Sequence, residues 1–89
     1  MDINEIRDRI DVVDKRLLEA FLERLRLSDE VATYKHQHGL PLENVQRELE
    51  VLQKAQEHSG EYDQYVQEFF SVLIKLSKNR QNERFPELG

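Results

Sequence analysis

Two cations sit where an apolar helix face should be. Taking ~100° per residue for an α-helix, a stripe through Ile6, Ile10, Val13 and Leu17 has Arg24 and Lys35 on its centre line. Ser28 lies within the same stripe, and Arg7 sits on its shoulder near the other end. Farther along, Ser77 and Gln81 stand four residues apart on the flank of a second stripe, beside Leu73. Arg80 lies closer to that stripe's centre, near the end of its helix. Between them, "HGLPLENVQRELEVL" opens a helix whose first turn carries Asn44, Arg47 and Glu48. Such a lining offers cations, neutral hydrogen-bond donors and one carboxylate. Its chemistry is electrostatic: it can hold a polyanion and stabilise a redistribution of charge.

Each residue also has an ordinary reading. A lone Arg or Lys on a stripe usually snorkels, with its stem on apolar surface and its charge in water. Ser77 and Gln81 taken singly are surface polar groups, and Asn44 is a good N-cap. Two cations and a hydroxyl in register on one inward face weigh against that reading, because a buried cation without a partner costs several kcal/mol. Glu48 is one candidate partner, but one carboxylate does not neutralise the set; a bound anion would. Other chemistries find little support. The chain has no cysteine, and His36, His38 and His58 fall at helix ends and in a loop. "HQH" lacks a third ligand at suitable spacing, so no metal site is expected. There is no Gly-rich phosphate loop and no HExxH.

Three helices must position these residues, which makes the expected class all-α. The first opens on a capping box, "DINE", with Asp2 as N-cap. Its stripe runs through Ile3, Ile6, Ile10, Val13, Leu17, Ala20, Phe21 and Val31, and nothing stops it before Gly39 and Pro41. It is expected over about residues 3–37. The second helix is expected over about 44–58, with Val45, Leu49, Leu52 and Ala55 inward and "SG" ending it. The third is expected over about 62–82, with Tyr62, Val66, Phe69, Phe70, Leu73 and Leu76 inward. Pro86 is expected to close the ordered part.

The chain has 89 residues, which predicts one domain over 1–89. Some 35 residues at ~1.5 Å each make a rod of roughly 50 Å, longer than the ~30 Å diameter of a compact domain of this size. The overhanging apolar stripe therefore predicts a dimer in which long helices pack along one another. Thirteen Lys and Arg against eighteen Asp and Glu give a net charge of -5, which argues against a nucleic-acid partner. No apolar run approaches the ~18 residues of a membrane span, and the acidic N-terminus "MDINEIRD" has no signal-peptide character. A cytoplasmic protein is expected, with no membrane partner.

The run "IRDRIDVVDKRLLEAFLERLRLSDEVATYK", followed by "LPLENVQRELEVL", resembles the all-helical class of chorismate mutases. The shared pattern is an Arg in the first turns, an "LDxxLLxLLxER"-type run, a Lys eleven residues after its Arg, then a Pro and "RE" opening helix 2. It covers about residues 3–82. The joint spacing of Arg7, Arg24, Lys35, Arg47, Glu48, Ser77 and Gln81 is specific where no single residue is.

The resemblance implies an intertwined homodimer of three-helix protomers that rearranges chorismate to prephenate, without cofactor or metal, on the way to phenylalanine and tyrosine. It implies that Arg24 binds a substrate carboxylate and that Arg7 binds another in the partner chain's site. It further implies that Lys35 and Gln81 hydrogen-bond the ether oxygen, that Glu48 accepts from the ring hydroxyl, that Ser77 assists carboxylate binding and that Arg47 supports the charged wall. Asn44 stands where many relatives carry Asp; the backbone N–H that the family uses there is kept, and capping is its larger role. A unimolecular pericyclic shift needs no nucleophile, which fits the lining. It needs a flexible dianion held in a folded conformer and a cation where charge builds on the ether oxygen. Two alternatives stay open: an isochorismate pyruvate lyase of the same fold, and a non-catalytic helical dimerisation or regulatory module.

Overall fold

The structure, a computed structural model, describes residues 2–88. It is all-α: α1 spans Ile3–His38, α2 Val45–Glu57 and α3 Asp63–Arg84, with short 3-10 turns at Gly60–Tyr62 and Pro86–Leu88.

Local chemistry sets the ends of each helix. Asp2 accepts the Glu5 N–H at 2.9 Å and starts α1. Gly39, at φ 64°, stops it in the left-handed region that suits glycine. The N–H groups of Gly39 and Leu40 both return to the Lys35 carbonyl. Asn44 Oδ1 accepts the Arg47 N–H at 3.0 Å, so Asn44 caps α2 from outside the helix and Val45 is its first residue. Gly60, at φ 56°, turns the chain into α3, and Ser59 Oγ donates to Asp63 Oδ1 at 2.9 Å across that corner.

The central element is α3. It packs against the C-terminal half of α1 and against α2, while α1 and α2 hardly touch. The small core is Ala32, Leu73 and Ile74. The molecule measures 55 × 24 × 14 Å, with a radius of gyration of 16.1 Å, against about 12 Å for a compact chain of this length. The excess is α1. Its 36 residues span about 54 Å, and residues 2–20 are exposed throughout. Ile3, Ile6, Ile10, Val13 and Leu17 lie in that exposed stretch.

Several inward assignments do not hold within one chain. Val45 and Leu49 on α2, Tyr62 in the turn before α3, and Phe69 and Leu76 on α3 are exposed. In this chain α2 has only α3 to pack on, so Leu52 and Ala55 are merely half-buried.

Pro86 does not close the ordered part either. The 3-10 turn it opens folds back onto the α1–α2 connection. There the Leu88 carbonyl accepts the Leu42 N–H at 3.3 Å. Phe85 stacks on His36 at 4.3 Å, and Glu87 Oε1 lies 2.9 Å from His36 Nδ1.

Candidate active site

A cleft of about 450 Å³ opens between the C-terminal half of α1, the start of α2 and the last turns of α3. Helix α1 lines it with Arg24, Ser28 and Lys35, and α3 with Ser77, Lys78 and Gln81. Asn44, Arg47 and Glu48 come from the start of α2. The seven expected residues Arg24, Lys35, Asn44, Arg47, Glu48, Ser77 and Gln81 thus meet in one place.

Arg7 does not join them. It lies in the exposed half of α1, 17 residues before Arg24, or about 25 Å along the helix axis.

A directed chain of hydrogen bonds crosses the cleft floor. Lys35 Nζ donates to the Leu42 carbonyl at 2.6 Å and to Gln81 Oε1 at 2.9 Å. An ammonium only donates, so the Gln81 amide presents its oxygen to Lys35 and its nitrogen to Ser77 Oγ, at 3.1 Å. Ser28 Oγ gives its proton to the Arg24 carbonyl at 3.0 Å. The 2.6 Å contact between Ser28 and Ser77 is therefore donated by Ser77. Ser28 and Gln81 are only 5% exposed, and among the described residues no fully buried side-chain polar atom lacks a hydrogen-bond partner. The network leaves one Lys35 proton and one Gln81 amide proton for a ligand.

Arg24 Nη1 reaches the Leu73 carbonyl at 3.3 Å. Burial, then the charge of Arg47, pushes the Arg24 pKa below the ordinary arginine value. Burial also lowers the Lys35 pKa; Glu48 acts against that shift and Lys78 adds to it. Both cations are thus held under electrostatic stress that an anion would relieve. Among the described residues neither forms an ion pair with a carboxylate.

Glu48, the candidate carboxylate partner for Arg24 and Lys35, lines the same cleft but forms an ion pair with neither. Its oxygens lie 3.3 and 3.4 Å from Lys78 Nζ, on the near wall of the cleft. Lys78 is the lining residue that sequence reasoning missed. The stripe drawn through Leu73 and Leu76 left out Ile74, which is buried; Lys78 lies one turn beyond Ile74 on the same face. Desolvation lowers the Lys78 pKa, but the hydrogen bonds and charges of Glu48 and Glu43 outweigh it and leave the pKa above the ordinary lysine value.

Arg47 extends outward and meets Glu50 at 3.4 Å. Arg80 lies outside the cleft, where its Nε and Nη2 grip Asp29 at 2.6 and 3.1 Å.

The lining therefore holds four cations, Arg24, Lys35, Arg47 and Lys78, against one carboxylate, Glu48. It contains no histidine, and both serine hydroxyls are committed to the network just described. No cluster suited to a metal ion occurs among the described residues, and none of their helices is long and apolar enough to cross a membrane. The arrangement can bind and orient a polyanion and place a cation and an amide beside one of its atoms.

The family model for chorismate mutase type II matches residues 6–82, a span that includes Arg7 and every cleft residue named above. The T-protein of Haemophilus influenzae is 41% identical over 51 residues, covering 57% of this chain and 14% of that protein. The T-protein of Enterobacter agglomerans is 30% identical over 86 residues, covering 93% of this chain and 23% of that protein. The chorismate mutase of Methanocaldococcus jannaschii is 30% identical over 87 residues, covering 93% of this chain and 87% of that protein. The chain thus spans less than a quarter of the length of either T-protein. No solved structure gives a significant match. The chain belongs to the type II chorismate mutase family.

Proposed function

We propose that this chain catalyses the rearrangement of chorismate to prephenate as a homodimer, in the cytoplasm and without a cofactor. The carrying observation is the pairing of Lys35 and Gln81, 2.9 Å apart, in a cleft that also holds Arg24, which has no carboxylate partner among the described residues.

The substrate is a dianion that reacts only when folded. Arg24 takes one carboxylate with its bidentate fork, and Ser77 supports that carboxylate by turning its hydroxyl proton from Ser28 to the ligand. Glu48 accepts from the ring hydroxyl. Asn44 keeps its capping task, and Arg47 adds to the positive wall. As the C–O bond breaks, charge collects on the ether oxygen. The spare Lys35 proton and the spare Gln81 amide proton meet it there. Because that charge grows toward the transition state, these contacts lower the barrier rather than only tighten binding.

The second carboxylate goes to Arg7 of the other chain. If two copies of α1 pair antiparallel about a point near residue 15, midway between 7 and 24, each Arg7 lies level with the other chain's Arg24. The exposed Ile10, Val13 and Leu17 then lie about that crossing and gain cover.

Loss of chorismate absorbance with micromolar protein tests the reading. Conversion well above the uncatalysed rate is expected, and a rate equal to buffer alone sinks it. Release of salicylate from isochorismate, with chorismate untouched, assigns the cleft to the lyase reaction instead.

A further inference from the structure

We infer that Lys78 is the positioning residue that keeps the Glu48 carboxylate on the near wall of the cleft and so keeps the cleft open for its substrate. The inference rests on the proposed reaction, since Glu48 is there the acceptor for the ring hydroxyl.

The charges lining the cleft are unbalanced. Glu48 is one flexible acid facing a wall of cations, and Arg24 and Lys35 are both desolvated and without a carboxylate partner. Coulomb attraction strengthens as water is excluded, so Glu48 left to itself would swing across and pair with them. That internal ion pair would fill the cleft with the enzyme's own carboxylate and consume the charges the substrate needs.

Lys78 opposes the collapse from the correct side. It stands on α3, next to the start of α2, and its Nζ lies 3.3 and 3.4 Å from the two Glu48 oxygens. It takes one site on each oxygen and leaves others open, since an ionised carboxylate has about four acceptor sites. Glu43, on the loop before α2, holds the same ammonium from its outer side at 3.4 Å and keeps Lys78 from leaning into the cleft. The side chains of Lys78 and Glu48 are 30% and 26% exposed, so both are shielded enough for the pair to hold its geometry and open enough to face a ligand.

The test is a double-mutant cycle on the dimer, with kcat and KM measured separately. Lys78→Met is expected to raise KM about tenfold, with kcat falling much less, as for loss of a prepositioned charge-assisted contact. In a Glu48→Gln background the same change is expected to cost less than about twofold, because its carboxylate target in the cleft is gone. Lys78→Arg keeps charge and reach and is expected to restore most of the lost KM. Lys78→Gln repeats the cycle with a second neutral side chain. Equal losses in the wild-type and Glu48→Gln backgrounds would overturn the assignment. So would a wild-type KM in Lys78→Met, or loss of helicity and dimer in both neutral variants, which makes Lys78 a fold residue. A wild-type protein inactive on chorismate brings down the proposed reaction and this role with it. An active one with an additive cycle brings down Lys78 alone.

Discussion

The two halves of α1 share one helix and one stripe, yet they solve opposite problems. From Ile3 to Ala20 the stripe is apolar and the chain leaves it uncovered. From Phe21 to His38 it is interrupted by Arg24, Ser28 and Lys35, and that is the half α3 covers. Burial has thus gone to the half that gains less from the hydrophobic effect, and the cost is carried by cations with lowered pKa values. A helix arranged this way is not optimised for the stability of a single chain. In the proposed dimer, one half serves the ligand and the other the neighbour.

The deepest test removes the ligand-facing half's charge. Lys35→Met and Arg24→Ala are each expected to lower kcat/KM by about a thousandfold or more, with helicity and assembly unchanged in circular dichroism and sedimentation. A loss under tenfold would mean that the covered half binds no reacting anion.

Next comes the link between the halves. Arg7→Ala alone is expected to cost about a hundredfold in kcat/KM. Unfolded and refolded together in equal amounts, Arg7→Ala and Arg24→Ala chains should regain about a quarter of wild-type activity. Half the dimers are then mixed, and each mixed dimer has one site with both arginines. No recovery on mixing separates the two halves again.

A smaller effect concerns pH. Folded Lys35 has its pKa below 10.5, so the alkaline limb of kcat/KM, which reports the free enzyme, should begin below that value. The sign for stability follows. Charged Lys35 costs folding free energy below its folded pKa, and the cost fades as pH rises toward 10.5. Lys35→Arg should move the alkaline limb upward in a pH–rate profile.

The smallest effect is expected at Asp29, which ties the covered half to α3 away from the cleft. Its hydrogen bond from Arg80 comes first among the causes that hold its carboxyl below the usual range, aided by the charges of Arg80 and Arg84 and opposed by desolvation. Asp29→Asn should lower the melting temperature modestly at pH 7. The gap between variant and wild type should close as pH falls through the folded Asp29 pKa, because that stabilisation is present only while the carboxylate is ionised.

What could be read from the residues alone followed the reach of helical geometry. Arg24, Ser28 and Lys35 share a face because they share a helix, and Ser77 and Gln81 do so for the same reason. The three elements themselves were legible from caps and breakers: Asp2, Gly39, Asn44 and Gly60 act as local signals. Contacts between elements were not. The partner of Glu48 depends on how α3 is rotated against α2, and the stripe drawn one residue away from Ile74 hid Lys78. The Leu42 carbonyl that holds Lys35 belongs to a loop whose path only the fold defines. Pro86 read as a stop because proline interrupts helices; its fixed φ equally suits the turn that forms.

That turn has a mechanical consequence. Leu42 is gripped at both ends of its backbone, its N–H by Leu88 and its carbonyl by Lys35. The C-terminal tail and the cleft lysine therefore pull on the same residue, like two cables on one pulley. The last turn of the chain and the floor of the cleft are thereby separated by a single residue.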